Sequence, residues 1–346
     1  MKKLLGKYWF FIGIIAMVCI AVYLPFVGIF VKRYKILSFG IFISFLLTGL
    51  TIETSHIHKE LQNIKVHGAA LFSSLIFSPV IAYYLAHSFF RTSPDFVIGA
   101  LIIGVAPVTI ASGTVMTSIA LGNVPLSLFI CVLGNLFSIF TIPLMVNLIL
   151  QFGEVSIILP VAKMLIELSF TVLLPVLIGQ ALRIKLKDKI ASVRGGISIF
   201  NQSIVLLIIL NALSSSIDGI LHAGSILFLI FLLMICLHLL ILSVNRFIAS
   251  LLHLDLPSTA AFTIHTSQKT LTVSYLVWAG YFAAKFPMAF IPAIAYHLTQ
   301  MVMDTFVAHW FRRKSETAKL KYEIKNHTPA KFERFLIYRV SKKFQK

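Results

Sequence analysis

The sequence is short of charge, and shortest of negative charge. Only 12% of its 346 residues are charged, with 12 Asp and Glu against 30 Lys and Arg. A soluble domain carries about 25% charged residues, so an ordinary water-soluble enzyme is excluded. Cysteine is scarce as well. Cys19, Cys131 and Cys236 each lie inside a long apolar run, which leaves neither a disulfide framework nor a CxxC metal site. The eleven histidines show no HExxH spacing, and no metal ligand set is expected. Walker loops, GxSxG elbows and paired-aspartate motifs are all missing. Their absence removes ATP hydrolysis and intramembrane hydrolytic or prenyl-transfer chemistry, so neither an enzyme nor a bound cofactor is expected.

What the sequence has is apolar length. Hydrophobic residues make up 58% of it and the mean hydropathy is +0.94, which also excludes disorder. A span needs about 20 apolar residues, and lipid admits no open sheet edges, so long apolar runs mean helices. Ten runs qualify: Tyr8–Val31, Ile36–Ile52, Val66–Phe90, Phe96–Leu121, Val124–Phe152, Met164–Leu182, Gly196–Ser216, Gly224–Leu252, Pro257–Phe282 and Phe286–Phe311. The first follows Lys2, Lys3 and Lys7 as a signal peptide would. It is long enough to span and no small-residue cleavage site follows, so it reads as the first helix.

Loop charge orients this arrangement. Twenty-three Lys and Arg fall on the side of the termini and five on the other, which places both termini in the cytoplasm; the cell (inner) membrane is the default expected location. The tail from residue 312 to 346 holds twelve basic and three acidic residues with interleaved aromatics. It reads as a segment on anionic lipid headgroups, and nucleic acid is not expected as a partner.

Spans four and nine are interrupted by polar strings, Pro107 to Thr114 and Thr263 to Thr270. They correspond when five helices are followed by five, and an odd number of spans per half inverts the second half. Paired broken helices in inverted repeats point to a transport site at the midplane. The competing reading is close helix packing through Gly, Ser and Thr.

The residues that cost most to bury are the strongest candidates. Lys269 lies deep in span nine, where an ionisable group costs roughly 2.5–3.5 kcal/mol on insertion scales. It reads as a proton carrier, an anion contact, a fixed cation in place of a metal ion, or a structural lysine on unwound carbonyls. His297, Gln300 and Asp304 share one face of span ten and are candidates for proton coupling or gating. Asp304 needs a partner at that depth, for which Lys269 and His297 are the cations at hand; alternatively it is wet, near the cytoplasmic end. Lys163 and Glu167 read as a local helical pair. Asn135, Asn147, Asn201, Gln202 and Asn211 either line a cavity or bond between helices.

On Ala106-Pro107-Val108-Thr109, Val115-Met116-Thr117, Gly122-Asn123-Val124, Ser267-Gln268-Lys269 and Tyr296-His297 with Gln300, the chain resembles the bile acid:sodium symporter family, closest to its SBF-like cation/proton-antiporter-like branch. The resemblance covers nearly all of residues 1–311 and implies ten helices in two inverted five-helix repeats, with helices four and nine crossing at unwound centres. It puts Gly113 and Thr114 where the family has serine and asparagine ligands for sodium, and Ser127 and Cys131 at its helix-five hydroxyl positions. The carboxylate of helix nine falls at Ile264, beside His265, and is missing. Of a second ion site, one glutamine falls near Ser74 and the other is kept as Gln268.

The resulting expectation is an all-α polytopic membrane protein: a transporter domain over 1–311, with repeats at about 8–152 and 164–311, and a basic tail over 312–346. It is expected to carry a small organic, anionic solute by alternating access. Sodium dependence is expected to be weak or absent because Lys269 sits at the ion site, leaving sodium or a proton as the coupling ion. Substrate or ion contacts are assigned to Ser112, Gly113, Thr114, Thr117, Ser127, Cys131, Asn135, Thr266, Ser267, Gln268 and Lys269. The alternatives are a cation/proton exchanger without organic substrate and a non-transporting membrane scaffold that uses the tail.

Overall fold

The computed structural model describes residues 2–52, 63–153 and 159–326, and the regular structure in them is helical. The chain starts with α1 (Lys2–Tyr23) and bends by 99° into α2 (Pro25–Arg33). This corrects the single span expected over Tyr8–Val31. Pro25 lacks an N–H and holds Leu24 out of the helical region, at φ −135° and ψ 57°, so the first helix stops there.

After α3 (Ile36–Thr51) come α4 (Ile64–Phe90), which contains a π-helical turn at Ser73–Phe77, then α5 (Pro94–Val105), α6 (Ile110–Ile119) and α7 (Val124–Phe152). Next are α8 (Val161–Leu186), α9 (Ser192–Ser215), α10 (Ile217–Ala223) and α11 (Ile226–Leu251). The last are α12 (Leu256–Ser267), α13 (Leu271–Val277) with a π turn at Trp278–Phe282, and α14 (Ile291–Asn326) behind a 3-10 turn at Pro287–Phe290. Five of these, α4, α7, α8, α9 and α11, are each long and apolar enough to cross a bilayer, and α1 with α2 would make a sixth. The molecule is a multi-pass membrane protein. Residues 327–346, most of the predicted tail, lie outside the described residues, as do His56, His58 and Lys59. Up to Asn326 the tail simply continues α14, so no backbone break marks residue 311.

Helical hydrogen bonding runs on from Leu174 to Ser215, yet this stretch does not run straight. Val176 and Gly179 meet α3 at Gly49 and Leu46, while Asn201 bonds Ser44 and Thr48 of the same short helix. A straight helix would put positions 176 and 201 about 37 Å apart. The chain therefore doubles back through the basic segment 183–195. The α3–α8 approach is so close that a Cβ on Gly49 would lie 2.3 Å from the Val176 carbonyl oxygen, and one on Gly179 2.1 Å from that of Leu46. Only glycine permits such backbone contact between helices.

Two layers result. α1, α2 and α3 pack on α8 and α9, whereas α4 to α7 pack with α11 to α14. The second layer holds both helix interruptions, α5/α6 and α12/α13, at its centre. Each interruption is shorter than the polar string predicted for it. The backbone leaves the helix only over 106–109 and 268–270, so Gly113 and Thr114 sit in α6, and Thr263 to Ser267 in α12.

Candidate functional site

The first interruption follows from proline chemistry. Pro107 forces Ala106 into extended geometry (ψ 142°), and α5 ends with its last carbonyls unpaired by the helix. The second has no proline. Its backbone is held from outside by Gln300, whose Oε1 accepts from Lys269 N at 2.8 Å and whose Nε2 donates to Lys269 O at 2.9 Å. The two interruptions touch directly: Thr270 N donates to Pro107 O at 2.9 Å.

Lys269 is 1% exposed. Its ammonium donates to the carbonyl oxygens of Ser74, of Gly104 at 2.8 Å and of Ala106 at 3.0 Å, with Ser74 Oγ at 3.3 Å. Gly104 and Ala106 supply orphan carbonyls at the negative end of α5, and Ser74 lies in the π turn of α4, where the regular helical ladder is interrupted. Carbonyls only accept, so three of them require three N–H groups, one more than a neutral amine possesses. Lys269 is therefore the cation at the centre of an oxygen cage, and none of its four contacts is a carboxylate.

Asp304 is fully buried, with neither Lys269 nor His297 as its partner. Its Oδ2 accepts from Gln268 Nε2 at 2.6 Å, and its Oδ1 faces His238 Nε2 at 2.9 Å. His238 Nδ1 lies 3.0 Å from the Tyr296 hydroxyl, which donates to Ser267 O at 2.8 Å. Gln268 Oε1 in turn accepts from Ser112 Oγ at 2.9 Å. Asn245 adds a bond to Ser267 Oγ at 2.8 Å and accepts from Ser73.

A third cluster surrounds His265. Its Nε2 faces the Thr109 carbonyl at 2.9 Å, and its Nδ1 faces Ser127 Oγ, which accepts from Thr117 at 3.1 Å. Gly113 makes room for the ring, since a Cβ there would lie 2.6 Å from His265 Nε2. Of the positions at which the family resemblance places sodium ligands, Gly113 and Ser127 are thus packed around an imidazole.

Between the layers lies a cavity of about 230 Å³. Thr109 and Thr270 line it from the interruptions, Ser112 and Asn135 from α6 and α7, and Ser44, Asn201 and Gln202 from the other layer, with His297 at one wall. It adjoins a second cavity of about 220 Å³ that includes Thr114 and Arg194. Asn135 Nδ2 donates to Val108 O at 3.0 Å, and Cys131 Sγ lies 3.5 Å from the same amide. His297 Nδ1 lies 3.1 Å from Gln300 Nε2.

The residues singled out in the sequence thus separate. Ser112, Thr114, Asn135 and His297 face cavities; Gln268, Lys269, Gln300 and Asp304 form the layer behind; Gly113, Thr117 and Ser127 surround His265. Ser267 presents its carbonyl to Tyr296, and Thr266 is buried with no partner for its hydroxyl among the described residues. Lys163 and Glu167 pair at 3.7 Å on the surface. His238 escaped the sequence reading. The signal for it was of the same kind as for Lys269, an ionisable residue deep in an apolar run, Ile226–Leu251, whose other ionisable residue, Arg246, lies toward its end.

Comparison with known proteins places the chain beside transporters. Residues 8–313 match the model of the SBF-like CPA transporter family. The chain is 25% identical over 324 residues to the probable sodium/metabolite cotransporter BASS4, chloroplastic, of Oryza sativa subsp. indica, covering 88% of this chain and 75% of that one. It is 24% identical to the putative symporter YfeH of Escherichia coli, over 91% of this chain and 96% of the relative. To the sodium/bile acid cotransporter 7-A of Xenopus laevis it is 22% identical, again over 91% and 96%.

Proposed function

The chain belongs to the SBF-like CPA transporter family, a family of transporters and not of enzymes, and from that premise we propose that it moves a small organic anion by alternating access with little or no dependence on sodium. In this reading ten helices cross the cell membrane as two inverted five-helix repeats, both termini are cytoplasmic, and α5/α6 and α12/α13 are the broken fourth and ninth crossings. The fourth and ninth crossings would then each be assembled from two shorter helices that by themselves fall below a bilayer's length.

The observation that carries the sodium claim is the oxygen cage around the Lys269 ammonium. A sodium ion seeks several oxygen ligands and compensating negative charge. Here the oxygens already hold a cation, and a second positive charge about 4 Å away would be repelled by several kcal/mol at an effective dielectric near 20. His265 supports the same conclusion in the neighbouring cluster, where its ring occupies the space that Gly113 leaves open. The anionic solute is supported by what lines the cavities: hydroxyls, amides, His297 and, in the second cavity, Arg194, with no acidic residue among the described residues of either lining.

The test is thermal unfolding of the full-length protein with a panel of carboxylates and sulfonates of about three to eight carbons, in sodium or in potassium buffer. A ligand that binds the native state raises the apparent stability. The expected result is stabilisation by at least one anion, equal in the two salts. Stabilisation that requires sodium would overturn the proposal.

A further inference from the structure

Donor and acceptor counting around His238 places a proton that the sequence does not reveal. The Ser267 carbonyl can only accept, so Tyr296 spends its single hydroxyl proton on it. The Tyr296 oxygen is then an acceptor toward His238, and Nδ1 of His238 must carry a proton to donate across the 3.0 Å between them. That leaves the 2.9 Å separation between His238 Nε2 and Asp304 Oδ1. If His238 were neutral and Asp304 ionised, two lone pairs would face each other there. A proton has to lie between them, as imidazolium and carboxylate or as imidazole and carboxylic acid.

We propose that His238 and Asp304 form a proton-binding site that shares one exchangeable proton and is mechanically tied to the interruption between α12 and α13. The ties lie on adjacent residues. Tyr296 holds the carbonyl of Ser267, and Asp304 holds the amide of Gln268, whose other end meets Ser112 in the cavity wall. Asp304 fixes the orientation of that amide, because a carboxylate oxygen can only accept from Nε2; Oε1 is thereby turned toward Ser112. Removal of the shared proton forces a rearrangement, since Nε2 and Oδ1 cannot stay at hydrogen-bond distance without it. Either Tyr296 leaves Ser267 so that His238 can change tautomer, or Asp304 turns and releases Gln268. Both outcomes act on the interruption.

The other titratable and charged groups nearby have their own occupations. Lys269 follows Gln268 directly, but its ammonium is turned into the cage formed with α4 and α5. His297 on α14 faces Gln300, the cavity and the edge of Phe10. His265 on α12 faces Thr109 and Ser127. Asp304 is the one acidic residue among the buried side chains described. With the shared proton present the crossing carries the charge of Lys269 alone; once the proton is lost, Lys269 and Asp304 cancel. The proton site stands on the hydrogen bonds themselves, whereas its use as a coupling site rests on the transport reading above.

The test therefore begins with protons and no solute. Full-length protein with nitrogen-labelled histidine is reconstituted in lipid, the His238 signals are assigned by His238→Gln, and the pH is titrated. The expected result is Nδ1 protonated as long as the shared proton is bound, and an Nε2 signal that shifts in step with an infrared carboxyl band lost in Asp304→Asn. Tyr296→Phe, which removes the acceptor that fixes the tautomer, is expected to release Nδ1 and gives a readout if Asp304→Asn does not fold. A bare Nδ1 in the unaltered protein while the shared proton is still bound, or an Nε2 signal indifferent to both substitutions, overturns the proton site. The tie to the interruption is read by hydrogen exchange of amides 268–271, corrected for intrinsic pH dependence. Protection is expected to change across the same titration in the unaltered protein and to lose that change in Asp304→Asn; pH-independent protection in the unaltered protein overturns the tie. Either result can be negative while an anion still stabilises the protein, so failure here is distinct from failure of the transport reading.

Discussion

Lys269 and Asp304 lie on the two sides of one helix interruption and are equally buried, at 1% and 0% exposure, yet their charges are accommodated in opposite ways. The lysine has no counter-ion among its contacts; dipoles alone surround it, three carbonyls and a hydroxyl. The aspartate has a partner that is itself ionisable, together with an amide that orients it. The difference lies in what each arrangement permits. A cage of carbonyls made by helix ends is fixed by the backbone and has a single satisfied state. A carboxylate–imidazole pair has two ways of holding one proton and a third state without it. The lysine is suited to standing still and the pair to changing.

The largest effect that would break this contrast is expected from Lys269→Ala. Two or three carbonyls would be left facing an empty cage, at about 1–3 kcal/mol each if water cannot reach them. Sodium or ammonium ions are expected to restore part of the lost thermal stability, whereas N-methylglucamine is not. Equal stability of Lys269→Ala and the unaltered protein in all three salts would mean that the lysine does not fill a cation seat. A smaller effect is expected from Gln300→Ala, which removes both bonds to the Lys269 backbone but none to Asp304. Net worth of about 0.5–1.5 kcal/mol per bond predicts a loss of roughly 1–3 kcal/mol in denaturation, with the infrared carboxyl band of Asp304 unmoved. A shifted band would show that the two charges are not separable.

The smallest effect concerns a second carboxylic acid, one residue ahead of the span expected over Phe96–Leu121. Asp95 accepts from Met288 N at 2.8 Å and is half-buried, and loss of solvent raises its pKa above the usual 3.8. A raised carboxyl pKa means that folding favours the protonated form. The benefit is complete below the unfolded value and fades as pH rises through the folded one. Asp95→Asn keeps an acceptor for Met288, so it is expected to be slightly more stable than the unaltered protein at neutral pH and equal to it near pH 3.8 and below. A pH-independent difference in unfolding temperature would remove desolvation as the cause.

Much of this was legible in the residues. Apolar runs located the long helices, and Pro107 marked the first interruption because a missing N–H and a constrained neighbour are local facts. Lys269 stood out because its burial cost needs no knowledge of its surroundings. The width of the interruptions was not legible, since Ser, Thr and Gly tolerate a helix as readily as a loop once neighbours satisfy the backbone. The bend at Pro25 was passed over in favour of run length, although the same proline rule applies there. The partner of Asp304 lies 66 positions earlier, on a different helix, and no spacing rule reaches across that distance. The carbonyls around Lys269 belong to the backbone, and residue types leave no trace of them.

The bond from Thr270 N to Pro107 O joins the two interruptions through main-chain atoms alone. Every side chain around the crossing can be exchanged without deleting it, provided position 270 keeps an N–H. Pro107 has no N–H to return the bond, so the main-chain join is a single bond and not a ladder, and the bonds from Lys269 to Ala106 and from Ser112 to Gln268 that flank it depend on side chains. Lineages that retune the cavity for new cargo can therefore alter its walls residue by residue and inherit that main-chain bond intact.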